Sequence, residues 1–337
     1  MSLARRPLAV LIPLLTALVL TACGVDENAA GKAPANARSE PGSVFPVSVE
    51  HKYGTTEITA KPERIVTLGL SDHDVVLALG EVPVGAIDWF LERPYGKFAW
   101  AKELWGDTPP EIVGERDDFL NEKILNLDPD LILAQYSGMT KEQYDELSKF
   151  APVVAQPVGF EDYGAPWQDM ALLAGKAMGM EEETNKLISD IDERFAAVRE
   201  AHPDWQGKSV AVVDPYEPGK YAIFQKTDPK AAFLEELGFA VPDTINEAAG
   251  TNNAAEVSTE RSDLIDQDLL VVLSYDPAAA RTHMEGDPIY QGLAVAREKR
   301  AMFVPYAEPD IGAALSFNTV LSIPYAIDEF VPLLEQQ

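Results

Sequence analysis

The strongest constraint on the fold is an alternation of strand-like and helix-like segments that occurs twice along the chain, once in each half. Short apolar runs typical of buried strands occur at 64–68, 82–86, 130–134 and 151–156 in the first half and at 209–213, 268–273 and 302–304 in the second. Helical segments at 74–79 and 229–237 end at Gly80 and Gly238, and glycine favours helix termination. Alternation of this kind is typical of α/β layering, so we predict two similar α/β lobes.

One long helix is predicted between the two halves. Residues 181–201 contain no Gly or Pro, and Leu187, Ile191, Phe195 and Val198 recur at helical spacing on one apolar face. At 1.5 Å per residue this helix is about 30 Å long. We expect a single rigid helix joining the lobes, with a ligand cleft between them and little closure, because one helix bends less than a hinge of several strands.

The N-terminus has the pattern of an export signal. Arg5 and Arg6 precede an apolar run, Leu8–Leu20, that is too short to span a bilayer. The following residues, 20–23, are similar to the lipobox of bacterial lipoproteins, which implies that Cys23 carries a diacylglyceryl group and begins the mature chain. Because Cys23 is the only cysteine, no intramolecular disulfide can form. The alternative is an ordinary signal peptide with an incidental cysteine.

Residues 24–43 contain almost no large apolar side chains, so they cannot bury enough surface to offset the entropy of ordering. The predicted organisation is a signal peptide at 1–22, a lipid-anchored linker at 23–43, an N-terminal lobe at 44–180, a connecting helix at 181–201 and a C-terminal lobe at 202–337. We expect a monomer on the outer face of the cytoplasmic membrane, held to the membrane by its N-terminal lipid.

The net charge excludes one class of partner. The formal charge is −28 at pH 7, whereas nucleic-acid binding requires Lys and Arg to neutralise phosphates. The same charge opposes a protein surface lying flat on anionic lipid. For most of the acidic residues, solubility is a sufficient explanation.

Two glutamates occupy matched positions in the two halves. Glu122 stands eight residues before the strand-like run that begins at Asp130, and Glu260 stands eight residues before the run that begins at Asp268. Each also lies near a predicted helix start. A carboxylate in the first turn of a helix stabilises the helix by about 0.3–1 kcal/mol. Helix stabilisation is therefore the simplest role for both glutamates.

Four segments resemble the iron–siderophore solute-binding proteins of ABC transporters, and the likeness runs from about Val44 to the C-terminus. They lie at 56–86, 111–134, 256–273 and 287–306. The resemblance implies the class III periplasmic-binding-protein fold, with a ferric siderophore held between the lobes and delivered to an ABC permease for iron uptake. Haem or cobalamin is the alternative cargo. The resemblance also implies that Glu122 and Glu260 form salt bridges with arginines of the permease.

Aromatic residues that follow predicted strands are candidate ligand contacts, because residues beyond the carboxyl ends of strands face the crevice of an open α/β sheet. This rule nominates Trp89, Tyr136, Tyr275 and Tyr306. Trp100 lies in the loop 89–110, together with Tyr95 and Trp105, and this loop could form one side of the cleft.

Arg116 is the candidate cation of the cleft. It occupies the Gly-x-Arg position, 114–116, that supplies a ligand-binding arginine in the hydroxamate-siderophore binders that the chain resembles. Asp117 and Asp118 follow where that family has a Glu-Pro-Asn-like run, and an ion pair with one of them is the alternative reading. Since a siderophore wraps its iron, we expect no metal ligands from the protein and no cofactor beyond the lipid.

His73 opens the first predicted helix and has three possible roles. It could contact the ligand, ligate haem iron together with a tyrosine, or complete the helix start. Ser71 and Asp72 precede it, which suggests a lipoprotein hydrolase, but adjacent residues seldom converge as a triad. The sequence has no nucleophile elbow, phosphate loop or His-Glu-x-x-His motif, so we expect a binding protein and not an enzyme.

Overall fold

The computed structural model describes residues 44–89, 96–217 and 219–337. The first lobe and the long helix comprise β1 (Val47–His51), β2 (Gly54–Ile58), β3 (Ile65–Thr67), α1 (Asp72–Ala78), β4 (Gly85–Asp88), β5 (Glu111–Glu115), β6 (Asp118–Phe119), α2 (Asn121–Asn126), β7 (Leu131–Ala134), α3 (Lys141–Leu147), β8 (Val153–Ala155), α4 (Trp167–Ala177) and α5 (Glu181–Ala201).

After a 3₁₀ turn at Pro203–Trp205, the second lobe comprises β9 (Val210–Glu217), β10 (Lys220–Phe224), α6 (Pro229–Glu236), α7 (Asp243–Ala249), β11 (Ala254–Ser258), a 3₁₀ segment (Thr259–Ile265), β12 (Leu269–Ser274), α8 (Pro277–Glu285), α9 (Pro288–Gly292), α10 (Ala294–Arg297), β13 (Ala301–Pro305), α11 (Ile311–Phe317) and α12 (Ser322–Leu334).

The sheet of the first lobe has the strand order β6-β5-β4-β3-β7-β8. All neighbours are parallel except the pair β5 and β6. The parallel strands β3 and β7 are buried along their whole length, as expected for strands covered on both faces. The carboxyl ends of β5, β4, β3 and β7 therefore lie side by side at one edge.

The second lobe has a five-stranded sheet in the order β11-β10-β9-β12-β13. The strands β9, β12 and β13 are parallel, whereas β10 and β11 form an antiparallel extension. The two lobes are thus both α/β, as predicted, but they are not exact copies. The segment of Glu260 is a 3₁₀ segment, whereas Glu122 lies in a short α-helix.

The hydrophobic core is continuous between the lobes. Ile65 and Leu131 of the first sheet belong to the same buried cluster as Val210 and Leu270 of the second. Helix α5 contributes Phe195 to this cluster, with its ring centroid 5.4 Å from that of Phe233 on α6. Because protein interiors are close-packed, a shared core opposes large movements of one lobe against the other.

The expected signal peptide, lipidated Cys23 and linker lie outside the described residues. Within the part of the chain that the structure describes, no helix combines the length and the apolar character needed to cross a bilayer.

Candidate functional site: a cleft at the carboxyl ends of the strands

Strand ends of the first lobe carry a cation and two aromatic rings, and Tyr163 adds a third ring beside them. Trp89 directly follows β4, Arg116 directly follows β5, and Tyr136 lies just beyond β7. The Arg116 guanidinium carbon is 5.4 Å from the Trp89 ring centroid and 5.6 Å from that of Tyr163, within cation–π range. Tyr163 in turn meets Tyr136 edge-to-face at 5.3 Å. These four residues form the aromatic face of the first lobe.

The backbone at Tyr136 is held by the buried carboxylate of Asp72. Its oxygens accept hydrogen bonds from the backbone N–H groups of Gly69, Gln135 and Tyr136, at 3.1, 2.8 and 3.0 Å. A Cβ at position 69 would lie 2.1 Å from Asp72 Oδ1, so this approach requires glycine. Asp72 thus ties the loop after β3 to the loop after β7 and fixes the position of Tyr136.

Asp117 organises the neighbourhood of Arg116. Its carboxylate accepts hydrogen bonds from the Gly138 backbone N–H at 2.8 Å and from the Tyr163 hydroxyl, and it lies 3.7 Å from Arg116 Nε. The ion pair between Arg116 and Asp117 is therefore present in the structure, together with the contacts of Arg116 with Trp89 and Tyr163. The Arg116 side chain remains 54% exposed, which leaves guanidinium donors accessible from solvent.

The second lobe presents its own strand-end aromatics. Tyr275 directly follows β12 and Tyr306 directly follows β13, with ring centroids 4.8 Å apart. Tyr306 is buried and its hydroxyl donates to Asp214 Oδ2 at 2.9 Å, whereas Tyr275 is 65% exposed. Burial, followed by the charge of Asp214, raises the pKa of the Tyr306 hydroxyl, so it stays a donor at neutral pH.

The start of α6, in the second lobe, carries a nearly buried ion pair. Asp228 caps the helix by accepting from the Lys230 backbone N–H at 3.0 Å, and the Lys230 ammonium lies 3.0 Å from its carboxylate. Burial is the main cause of the raised pKa of Tyr136, and the charge of Asp228 adds to it. The same charge contributes at Tyr306. Asp228 therefore acts electrostatically on tyrosines of both lobes.

A cavity of about 380 Å³ lies between the lobes beside these residues. Its lining includes Tyr136 and Tyr163 from the first lobe and Thr227, Glu236 and Phe317 from the second. Its volume falls within the range of small-molecule sites. The Phe317 ring also lies 6.0 Å from that of Trp89, so α11 closes one side of the aromatic face.

Two predicted site residues have other surroundings. His73 is 6% exposed, its ring lies 5.4 Å from that of the buried Trp105, and burial lowers its pKa to about 4. Trp100 stacks on Phe98 at 4.5 Å and donates its indole N–H to Asp74 at 3.0 Å. The structure therefore does not bring these two into the aromatic face of the first lobe. Tyr95 lies outside the described residues.

Sequence reasoning missed several residues of the cleft. Tyr163 and Phe317 follow no strand, so the strand-end rule does not reach them. Asp214 lies in the carboxyl-terminal half of β9, one residue beyond the strand predicted from the apolar run. A rule that allowed the strand to continue into its polar end would have found Asp214.

The matched glutamates lie on the surface. Glu122 is in the first turn of α2, Glu260 is in the first turn of the 3₁₀ segment, and both are exposed. Among the residues that the structure describes, neither forms an ion pair. Nor do three or more His, Cys, Asp or Glu side chains of this described part group so as to hold a metal ion.

Known proteins share this sequence and this fold. The Bacillus subtilis (strain 168) protein named "Probable siderophore-binding lipoprotein YfiY" is 28% identical over 68% of this chain, and the match spans 66% of that relative's length, slightly less than two thirds. The Fe(3+) dicitrate-binding periplasmic protein FecB of Escherichia coli (strain K12) is 26% identical over 77% of this chain and 82% of FecB.

A solved structure extends the likeness to three dimensions. The iron uptake ABC transporter substrate-binding protein PiaA of Streptococcus pneumoniae TIGR4, crystallised also with ferrichrome, superposes with a TM-score of 0.71 at 32% identity. The superposition covers 86% of this chain and 98% of PiaA. Residues 65–306 match the family described as periplasmic binding protein. The chain belongs to the periplasmic binding protein family.

Proposed function

We propose that this protein captures a ferric siderophore in the cleft between its lobes and delivers it, chemically unchanged, to an ABC importer. The observation that carries the proposal is the convergence of Arg116 with Trp89, Tyr136 and Tyr163 beside a cavity that residues of both lobes line. The names of YfiY and of the PiaA complex support the same class of ligand.

The chemistry of a ferric chelate suits such a cleft. The iron is already wrapped by oxygen donors, so the protein has only to hold the outer surface of the chelate. Aromatic rings pack against its apolar parts, while the guanidinium and tyrosine hydroxyls donate hydrogen bonds to its exposed oxygens. Sites of this kind bind in the range from about nanomolar to micromolar.

Haem and hydrolysis are less well supported. The only histidine nominated for haem iron, His73, is buried beside Trp105. The Asp72 carboxylate accepts hydrogen bonds from three backbone N–H groups. It is therefore poorly placed to orient a catalytic histidine, as the aspartate of a hydrolase triad does.

Delivery requires a position at the membrane and a contact with the permease. We propose that lipid on Cys23 supplies the first, as the lipobox indicates, and that Glu122 and Glu260 supply the second. One exposed carboxylate on each lobe provides a contact that a two-fold symmetric partner can match.

Tryptophan fluorescence tests the ligand class. The mature protein should show quenching when titrated with one of a panel of ferric hydroxamates, catecholates, mixed chelates and haem, because Trp89 adjoins the cleft. Trp89→Phe should reduce the quenching, with Trp167, which lines the cavity, responsible for the remainder. Trp205→Phe, which changes a buried ring stacked on His202, should retain the full quenching. Absence of quenching and of any thermal shift with every ferric chelate would refute the proposal.

A further inference from the structure

We infer that this cleft selects ferric chelates without net negative charge, such as neutral trihydroxamates, over polyanionic tricatecholates and citrate complexes, because the cations among its described residues lie beside carboxylates. The inference rests on the proposed function and specifies its substrate class. Relatives do not decide the question, since PiaA was crystallised with ferrichrome whereas FecB is named for dicitrate.

Two described cations beside the cleft each lie close to a carboxylate. In the described part of the site, Arg116 lies 3.7 Å from Asp117, and Lys230 lies 3.0 Å from Asp228. The second pair is nearly buried, with side-chain exposures of 11% and 5%, so solvent screens it little. Each of these two cations thus already has a carboxylate beside it.

Among the described residues, the carboxylate of Asp214 remains outside these pairs. Asp214 is half-buried and accepts a hydrogen bond from the neutral Tyr306 hydroxyl. Glu236, which lines the cavity, lies 3.6 Å from Arg199 of α5 and is balanced by it. The described lining therefore has no surplus of positive charge, and the whole chain, at −28, adds a repulsive field for anions.

The charge of a ferric chelate follows from its donors. Three hydroxamates contribute three negative charges and cancel Fe³⁺, whereas three catecholates contribute six and leave a net charge of about −3. Desolvating such an anion is unfavourable unless cations replace its water. A neutral chelate needs only hydrogen-bond donors and apolar walls, which Arg116, Tyr136 and Trp89 supply.

Calorimetric titration of the mature protein with chelates of graded charge tests the inference. The probes are ferrioxamine B (cationic), ferrichrome (neutral), ferric dicitrate (anionic) and ferric enterobactin (trianionic). We expect a neutral or cationic trihydroxamate to bind at least about 100-fold more tightly than either anionic chelate. Tightest binding of an anionic chelate would uphold the proposed function and overturn this inference. Binding of none of the four would overturn this inference, and failure of the whole panel of ferric chelates as well would overturn the proposed function.

A charge variant tests whether Asp214 contributes to the selection. Asp214→Asn keeps an acceptor for the Tyr306 hydroxyl but removes a negative charge. The ratio of trihydroxamate to dicitrate affinity should fall about tenfold. Asp190→Asn, which removes an exposed carboxylate from α5, is the matched control and should leave the ratio unchanged. An unchanged ratio in Asp214→Asn would contradict the role of Asp214 in excluding anions.

Discussion

At the scale of single residues, Arg116 combines a strained backbone with the proposed ligand contact. Its φ is +53°, in the left-handed region, at the turn between β5 and β6. A non-glycine residue in that region costs about 1–3 kcal/mol, and such residues cluster at functional sites. The side chain that imposes this cost is the one that lies between Trp89 and Tyr163.

Replacing Arg116 with glycine should therefore separate binding from stability. Arg116→Gly relieves the backbone strain but removes the guanidinium, so we expect chelate affinity to fall about tenfold or more while the free energy of unfolding stays within about 1 kcal/mol of wild type. Calorimetry and urea unfolding measure the two quantities. Arg297→Ala on α10 is the control. Wild-type affinity in Arg116→Gly would contradict the assigned contact.

Asp74 should make stability depend on pH. It is buried where α1 meets the second lobe, accepts from Trp100 and Thr319, and burial raises its pKa from 3.8 to about 7. Between these values the native state holds a proton that the unfolded chain has lost, so the free energy of unfolding falls as pH rises through this window and levels off above it.

Asp74→Asn removes this titration but keeps an acceptor for both donors. The stability of the variant relative to wild type should thus increase from about pH 4 to 7 and stay constant above pH 7. Urea unfolding at pH 5, 6, 7 and 8 gives this difference, in which the titration of His73 largely cancels. Parallel profiles for the two proteins would show that Asp74 is ionised across the whole range.

The strand-end rule shows what sequence reasoning can reach at this scale. It placed Trp89, Tyr136, Tyr275 and Tyr306 at strand ends, and each lies there in the structure. The rule could not reveal Tyr163 or Phe317, because their approach to the cleft depends on how separate segments pack.

At the scale of elements, the packing of α4 against α5 depends on one glycine. A Cβ at Gly175 would lie 2.0 Å from Thr184 Oγ1, so the two helices approach as closely as glycine allows. Thr184 is fully buried and its hydroxyl donates to the Met180 carbonyl at 2.7 Å, which limits its freedom to move away.

Gly175→Ala should force the two helices apart and lower the free energy of unfolding by about 2 kcal/mol. Gly292→Ala is the matched control, because a Cβ at that position meets nothing within 4 Å. Thermal and urea unfolding of both variants measure the effect. Equal stability of the two variants would contradict the close packing of α4 on α5.

Strands with continuous apolar runs were predictable, whereas strands interrupted by polar residues were not. The buried strands β3, β7 and β12 lie within one residue of the predicted runs. The strands β5, β10 and β11 were missed because polar residues interrupt them and only some of their positions are buried. Two of these three form the antiparallel extension that distinguishes the second lobe.

At the scale of the whole molecule, a core shared between the lobes predicts that binding involves little closure. Under the proposed function, the permease would then meet a surface whose geometry barely changes with loading, and recognition would depend on fixed charges. Sequence alone could nominate Glu122 and Glu260 by their matched spacing, but it could not show that the helix type differs between them.

The double variant Glu122→Ala with Glu260→Ala should bind its chelate as wild type does but fail to support uptake, because docking loses both charges. Uptake of iron-labelled chelate by cells that produce the protein with its permease measures this. Glu142→Ala with Glu247→Ala, two exposed acids on α3 and α7, is the control. Normal uptake by the first double variant would refute the docking assignment.

Native mass spectrometry of the mature protein, incubated with a mixture of ferric chelates, tests the central claim most directly. We predict one adduct, whose mass is that of the chain plus a single intact ferric siderophore, and release of the same chelate on unfolding. No adduct with any chelate, or release of a cleaved chelator, would contradict the account.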